Sequence, residues 1–296
     1  MPLKSFLDYI SLEKKYSSHT ATAYNNDIKS FQAFCTSYFD DNDLTKVNYS
    51  QVRSWIVSLV DANISNRTIN RKISSLKAFY KFLLKSKQIN EDPLIKHKAL
   101  KVGKRIQVPF TKNEINEVIN NLHSDDNDFK SLRNRLIVEL FYSTGMRRSE
   151  LINLTITDID LSKEVVKVLG KRNKERFIPL LKSVQQTISL YLDIRNDFNV
   201  THNYLLITEK GNKIYGTLVY RVINHYFSAV SSKVKKSPHI IRHSFATHLL
   251  NEGADLNSVK ELLGHSSLAS TQVYVNNSLS ELKKVYNQAH PRSSKT

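Results

Sequence analysis

The chain reads Pro238-His-Ile-Ile-Arg-His-Ser-Phe-Ala-Thr-His-Leu-Leu250 in a stretch that we interpret as a helix. His239 and Arg242 lie three residues apart, so a helix places them on one face. The planar guanidinium of Arg242 can engage two non-bridging phosphate oxygens, and His239 can donate a further hydrogen bond. The stretch therefore offers a phosphodiester two adjacent ligands. The other two histidines, His243 and His248, are more simply explained as structural residues.

A second segment, Thr144-Gly-Met-Arg-Arg-Ser-Glu-Leu151, combines a glycine turn with the start of a helix. Arg147 then lies near a helix N-terminus, where the free amide groups and the helix dipole favour an anion. An arginine at a helix start is more often part of a surface salt bridge, and Glu150 is the obvious partner. Taken alone, this segment is weak evidence for a phosphate site.

A third segment reads Leu262-Leu-Gly-His-Ser-Ser-Leu-Ala-Ser-Thr-Gln-Val-Tyr274. We expect Gly264 to end one helix, His265 to occupy the turn, and a short following helix to present Tyr274. The chain contains 14 tyrosines, so Tyr274 by itself is more simply explained as a half-buried aromatic residue. Tyr274 becomes a candidate reactive residue only together with the other two segments, because their cations could make its phenol reactive.

The composition favours a nucleic-acid partner. The chain has 44 Lys and Arg against 27 Asp and Glu, and a net charge of +17 is most simply explained by a polyanion. Lys4 and Asp8 interrupt the apolar run that a signal peptide would need. No stretch approaches the ~20 apolar residues that span a bilayer. We therefore expect a cytoplasmic protein without membrane contact.

No metal or nucleotide cofactor is expected. Cys35 is the only cysteine, and no Cys/His cluster has the spacing of a zinc site. The sequence contains no Gly-x-x-x-x-Gly-Lys loop for nucleotide phosphates, and no carboxylate cluster suited to two-metal phosphoryl transfer. Any phosphoryl transfer by this chain is therefore expected to proceed in EDTA.

A length of 296 residues favours two domains. Residues 1–95 read as a helical domain, residues 96–109 as an extended basic linker, and residues 110–296 as a second domain. The second domain has four local signals: a capping box at Thr111-Lys-Asn-Glu114, a helix over Leu132–Tyr142, a β-hairpin over Val165–Leu180, and a last helix over about 278–290.

The predicted helices of the first domain include Ser18–Cys35, Tyr49–Val60 and Asn66–Leu84, and the last of these has one apolar and one cationic face. From Ile64 to Arg105 the chain carries twelve Lys or Arg and two Asp or Glu. A solvated helix face followed by a basic linker would explain this surplus, and phosphate contact explains it better. The residues that we predict to contact DNA are Arg67, Arg71, Lys72, Lys77, Lys104 and Arg105.

The three segments occur together and in order, and this constellation resembles the signature of the tyrosine recombinases, the phage integrase family. It consists of Arg147 in Thr-Gly-Met-Arg-x-Ser-Glu-Leu, His239 and Arg242 in His-x-x-Arg-His-Ser-Phe-Ala-Thr-His, His265 in Leu-Gly-His, and Tyr274 nine residues later. Within the family, the compact length and the layout of the whole chain are most similar to the Xer recombinases.

The hairpin tip is Gly170-Lys-Arg-Asn-Lys-Glu175, which is similar to the family pattern Gly-Lys-Gly-Asn-Lys. The resemblance implies that Lys171 is the catalytic lysine. Arg172 stands where the family usually has glycine, so Lys174 is kept as the alternative.

The resemblance also implies a mechanism, in which Tyr274 attacks a DNA phosphate and forms a 3′-phosphotyrosyl intermediate. The implied supporting roles are phosphate binding by Arg147 and Arg242, a hydrogen bond from His265, proton acceptance by His239, protonation of the 5′ oxygen by Lys171, and orientation of the arginines by Glu150.

The fold that the resemblance implies is mainly α with a small β-sheet, comprising a SAM-like helical core-binding domain and a catalytic domain that form a C-shaped clamp around DNA. The implied partners are a double-stranded DNA recombination site, a homo- or hetero-tetramer with a paralogous recombinase into which the last helix docks, and an FtsK-type DNA translocase. The implied role is resolution of chromosome dimers. The alternatives are an integrase or transposase of a mobile element, a type IB topoisomerase, and a DNA-binding architectural protein without enzymatic activity.

Overall fold

The computed structural model describes residues 2–103, 107–123, 128–170, 174–233, 235–264 and 277–293. The chain divides into two compact units, Met1–Arg105 and Ile106–Thr296. Within the described ranges, every helix is too short or too polar to cross a membrane.

The regular secondary structure in the described part of the first unit consists of helices, and side-chain caps define where three of them begin. Ser17, Asn48 and Ser65 each accept a hydrogen bond from a main-chain amide of the first turn that follows. The helices are α1 (Pro2–Asp8), which continues as a π-helical turn (Tyr9–Glu13), α2 (Ser18–Phe39), α3 (Tyr49–Asp61) and α4 (Asn66–Lys85).

Aromatic side chains form the core of this unit. Phe6 of α1 packs edge-on against Phe79 of α4 with ring centroids 5.4 Å apart, and Phe31 of α2 lies 5.0 Å from Trp55 of α3. All four rings are buried. The core therefore joins the four helices through their apolar stripes, as the helical periodicity of the sequence predicts.

The second unit contains eight α-helices, one 3-10 turn (Ile156–Asp158) and one small sheet among its described residues. The expected capping box is present, since the amide of Thr111 donates to Glu114 at 2.7 Å and the amide of Glu114 donates to Thr111 at 3.1 Å. The helices are α5 (Lys112–His123), α6 (Phe129–Thr144), α7 (Arg148–Asn153), α8 (Lys182–Arg195), α9 (Gly216–Val230), α10 (Pro238–Asn251), α11 (Leu256–Leu263) and α12 (Asn277–Ala289).

The expected hairpin forms two strands of a three-stranded antiparallel sheet. Its strands are β1 (Ile159–Asp160), β2 (Val165–Leu169) and β3 (Glu175–Pro179), in the order β1-β2-β3. The register pairs Val165 with Pro179 and Leu169 with Glu175. The predicted fold class, mainly α with a small β-sheet, is thereby confirmed.

The terminal helix α12 packs on its own unit. The Tyr286 hydroxyl donates to the carbonyl of Ser143 at 2.7 Å, and His290 Nε2 lies 3.2 Å from the carbonyl oxygen of Tyr142. Leu282, Tyr286 and Ala289, which lie at helical spacing on α12, are buried. Docking of residues 278–290 into a neighbouring protomer was the expectation. The helix contacts its own domain in the single chain, and its docking into a neighbouring protomer stays a prediction.

Burial of His290 predicts a loss of stability in acid. Burial lowers the pKa of its imidazole to about 3, so the folded protein excludes a proton that the unfolded chain binds below about 6.5. Stability contributed by the neutral ring is therefore complete above pH 6.5 and falls as pH drops toward 3, by at most about 1.4 kcal/mol per pH unit. The His290→Gln variant should show a shallower fall in the free energy of unfolding.

Urea unfolding at pH 7, 6 and 5 measures this slope. The exposed His243 provides a matched control, and His243→Gln should leave the slope as it is in the wild type. An identical slope in His290→Gln and the wild type would contradict the prediction.

Candidate active site

Three arginines meet at the carboxyl end of α11. The carbonyl oxygens of three consecutive residues each accept a hydrogen bond from a different one of them: Leu262 from Arg176 Nε at 2.9 Å, Leu263 from Arg242 Nη2 at 2.7 Å, and Gly264 from Arg147 Nη2 at 3.4 Å. The last carbonyls of a helix lack partners within the helix and carry partial negative charge, so cations are favoured there. We call Arg147, Arg176 and Arg242 the arginine cluster.

The carboxylate of Glu150 holds two members of the arginine cluster. Its Oε1 accepts from Arg147 Nη1 at 2.7 Å and from Arg176 Nη1 at 3.2 Å. Its Oε2 accepts from Arg176 Nη2 at 2.8 Å and from the main-chain amide of Arg147 at 2.7 Å. The salt bridge expected between Arg147 and Glu150 is present, but Glu150 is only 7% exposed and is shared with Arg176.

The environment of Glu150 keeps it ionised. Burial alone would raise the pKa of its carboxyl, but the hydrogen bonds from Arg176 and Arg147 outweigh burial and hold the pKa below its usual value. Three guanidinium groups around one carboxylate leave a surplus of two positive charges. The cluster is therefore suited to binding an anion such as a DNA phosphate.

Arg242, which lies on α10, is hydrogen-bonded to the turn that precedes α7. Its Nη1 donates to the carbonyl of Gly145 at 2.5 Å. Gly145 has a φ of 59°, and a Cβ at this position would collide with the ring of Phe245. Burial, together with the positive charge of Arg147, lowers the pKa of Arg242 to about 10. The guanidinium therefore stays protonated at neutral pH.

His239 lies in the first turn of α10 with its side chain exposed. Partial burial lowers the pKa of its imidazole, and the positive charges of Arg148 and Arg242 lower it further. A lowered pKa keeps the ring neutral at pH 7, with one nitrogen able to accept a proton. Of the other two histidines in α10, His248 is buried and contacts the Tyr142 hydroxyl at 2.9 Å, whereas His243 is exposed.

Three of the predicted catalytic residues, Lys171, His265 and Tyr274, lie outside the described residues, as do the predicted DNA contacts Lys104 and Arg105. The residues that precede two of them are described. Gly264 ends α11 with a φ of 63°, and the amide of Gly170 donates to the carbonyl of Lys174 at 2.8 Å. The side chain of Lys174, the alternative to Lys171, is exposed.

Sequence reasoning missed Arg176. Strand periodicity could have found it, because side chains alternate between the two faces of a strand and Arg176 shares its face with the fully buried Ile178. An inward-facing arginine needs partners, and its partners are Glu150 and Leu262. Neither is close to Arg176 in the sequence.

The basic residues of α4 differ in their surroundings. Arg71 donates to the buried carboxylate of Asp27 at 2.5 and 2.9 Å, and Lys72 and Ser75 donate to the same group at 3.3 and 2.8 Å. Lys77 Nζ donates to the carbonyl of His97 at 3.3 Å, and Arg67 is exposed. Arg71 and Lys72 therefore have a structural role in this unit, and their contact with DNA stays a prediction.

This difference predicts distinct effects of two substitutions. Arg67→Ala should weaken binding to any duplex and reduce the slope of log K against log salt by about 0.9, the value for one lost phosphate contact, without changing stability. Arg71→Ala should lower the free energy of unfolding by about 1–2 kcal/mol, because Asp27 loses a bidentate partner. Salt-dependent binding assays and urea unfolding of both variants provide the measurements. A destabilised Arg67→Ala or a fully stable Arg71→Ala would contradict the assignment.

Two family descriptions match the chain. Residues 3–87 match the phage integrase N-terminal SAM-like domain, and residues 108–281 match the phage integrase family. The second match covers more than half of the chain and includes the whole arginine cluster.

Individual proteins are similar over almost the full length. The tyrosine recombinase XerC of Listeria innocua is 37% identical over 299 aligned positions, which cover 98% of this chain and 97% of that protein. Two solved structures share the fold. The first is the XerH site-specific recombinase bound to a palindromic difH substrate, with a TM-score of 0.70 and 18% identity over 98% of this chain and 92% of that chain. The second is the Tn1549 transposon integrase in complex with circular intermediate DNA, with a TM-score of 0.68 and 19% identity over 95% of this chain and 99% of that chain.

Proposed function

Because the chain belongs to the phage integrase family of tyrosine recombinases, we propose that it resolves chromosome dimers by site-specific recombination before cell division. It is an enzyme that cuts and rejoins DNA strands. The observation that carries the proposed role is the 37% identity with the XerC recombinase, which extends over 98% of this chain and includes both units. A likeness confined to the catalytic motifs would have favoured no particular branch of the family.

We assign phosphate binding to Arg147 and Arg242. A guanidinium has five N–H donors, and each of these arginines uses one side-chain donor on a carbonyl of residues 263–264 and another on Glu150 or Gly145. Donors therefore remain for the two non-bridging oxygens of the scissile phosphate. Their positive charge would stabilise the pentacoordinate transition state.

The nucleophile in this proposal is Tyr274. Its oxygen attacks the phosphorus, the bond to the 5′ oxygen breaks, and a 3′-phosphotyrosyl bond forms. His239 accepts the phenolic proton, Lys171 donates a proton to the departing 5′ oxygen, and His265 adds a hydrogen bond to the phosphate. A free phenol has a pKa near 10, so its ionisation at pH 7 costs about 4 kcal/mol, which neighbouring cations offset.

The remaining components concern DNA and assembly. We propose that residues 1–95 bind the core of the recombination site and that residues 96–109 lie along the duplex. Four protomers, either identical or paired with a paralogue, would act together in the cytoplasm. An FtsK-type DNA translocase would bring the sites together.

The second candidate is an integrase or transposase of a mobile element. The Tn1549 transposon integrase shares the fold, and the two candidates would share every catalytic residue. At 19% identity that similarity shows the fold alone.

Mapping the cleaved sites in the genome separates the two roles. The full-length protein would be trapped on genomic DNA as its covalent adduct in EDTA, and the attached sequences determined. A single site near the replication terminus would support resolution of chromosome dimers. Sites at the ends of a mobile element would instead establish the second candidate.

A further inference from the structure

We propose that Arg176 is a positioning residue for strand cleavage, fixing the end of α11 and the base of the β2–β3 hairpin relative to Arg147. The inference rests on the proposed function, because it concerns the same cleavage reaction. Arg176 itself need not touch the DNA. It would act by holding Gly170 and Gly264 in place, the residues from which the chain continues to Lys171 and His265.

The contacts of Arg176 require the planar fork of an arginine. Nε donates to the carbonyl of Leu262 at 2.9 Å, while Nη1 and Nη2 donate to the two oxygens of Glu150 at 3.2 and 2.8 Å. Three nitrogens of one guanidinium thus reach three acceptors on two elements. A lysine ammonium is a single point on a flexible stem and cannot reproduce this arrangement.

Arg176 also fills the space between two glycines. A Cβ on Gly264 would lie 3.1 Å from Arg176 Nη1 and 3.2 Å from its Cδ, and a Cβ on Gly170 would lie 3.5 Å from Nη1. Gly264 directly precedes His265, and Gly170 directly precedes Lys171. The guanidinium of Arg176 is therefore packed against Gly264 and Gly170. Each of these glycines directly precedes a residue to which we assign a role in cleavage.

Positioning fits the surroundings of Arg176 better than phosphate binding does. Its side chain is 10% exposed, compared with 25% for Arg147, and all three of its nitrogens already donate hydrogen bonds. Glu150 also accepts from Arg147, so loss of Arg176 would remove two of the hydrogen bonds that fix the carboxylate beside Arg147. A displacement of about 1 Å near a reacting group can reduce the rate by about 100-fold.

The test uses full-length Arg176→Lys and Arg176→Met on a nicked suicide substrate, at DNA concentrations that saturate the protein. We expect both variants to bind the site within about twofold of the wild type and to form the covalent adduct about 10- to 100-fold more slowly. Lysine should be little better than methionine, because positive charge alone does not restore the geometry. Lys167→Met, a substitution on the neighbouring strand β2, is the matched control and should cleave at the wild-type rate.

A second substrate separates positioning from a loss of folding. When sulfur replaces the bridging 5′ oxygen, the leaving thiolate departs without a proton, so the contribution of Lys171 is bypassed. If Arg176 fixes the hairpin base, the defect of Arg176→Lys should shrink several-fold on this substrate. A fraction of misfolded protein would instead reduce the final amount of adduct equally on both substrates, without changing the rate constant.

The outcomes distinguish this inference from the proposed function. If the wild-type protein forms no adduct with any site, the proposed function fails. If the wild type forms the adduct and Arg176→Lys matches its rate, or if the defect is the same on both substrates, only the positioning role of Arg176 is overturned.

Discussion

The Tyr274→Phe variant should form no covalent adduct on a nicked suicide substrate on which the wild-type protein accumulates one. Phenylalanine removes only the hydroxyl oxygen, so the phosphorus loses its nucleophile while the rest of the site is retained. Binding of the DNA site should be unchanged. Denaturing gel electrophoresis of labelled DNA detects the adduct directly.

A matched tyrosine is available for comparison. Tyr220 on α9 is exposed, and Tyr220→Phe should retain adduct formation. An adduct with Tyr274→Phe would show that another residue is the nucleophile. Loss of the adduct in both variants would mean that DNA binding, rather than chemistry, had been impaired.

The Arg242→Gln variant should cleave DNA roughly 10²–10³-fold more slowly than the wild type, the usual cost of removing one donor that stabilises a charged transition state. It should also be less stable by about 1–3 kcal/mol, because the carbonyls of Gly145 and Leu263 lose their donor. Single-turnover cleavage and urea unfolding measure the two effects separately.

The control for Arg242→Gln removes a charge from α11 itself. Lys260 is exposed on that helix, and Lys260→Gln should have a far smaller effect on cleavage. A cleavage rate for Arg242→Gln within threefold of the wild type would exclude Arg242 from phosphate binding, even if the variant were destabilised.

Capping residues and apolar periodicity in the sequence were sufficient to predict most of the helices. α3 and α4 follow Asn48 and Ser65, whose side chains cap them, and α5 has its capping box. No comparable signal precedes α8 and α9, because Leu181 and Tyr215 stand before them and neither side chain caps the helix. β1 has only two residues, too few to create a periodic pattern.

Candidate site residues could be proposed from the sequence where they lie in short, recognisable motifs. The motifs around Arg147, His239 and Arg242 identified three residues that the structure brings close together. Arg176 was missed because the carbonyl it binds is 86 positions away in the sequence. Asp27 is likewise 44 positions from Arg71, so charge counting could not show that Arg71 pairs with a carboxylate of its own unit.

The position of α12 changes how assembly should be studied. The carbonyls of Tyr142 and Ser143, to which His290 and Tyr286 bind, belong to the last turn of α6, and the chain reaches Arg147 four residues after Ser143. Cutting the chain before residue 277 would therefore disturb the support of the phosphate site along with any protomer contact. Charge reversal at the exposed Lys284 leaves that support intact and is the cleaner way to ask whether neighbouring subunits control one another.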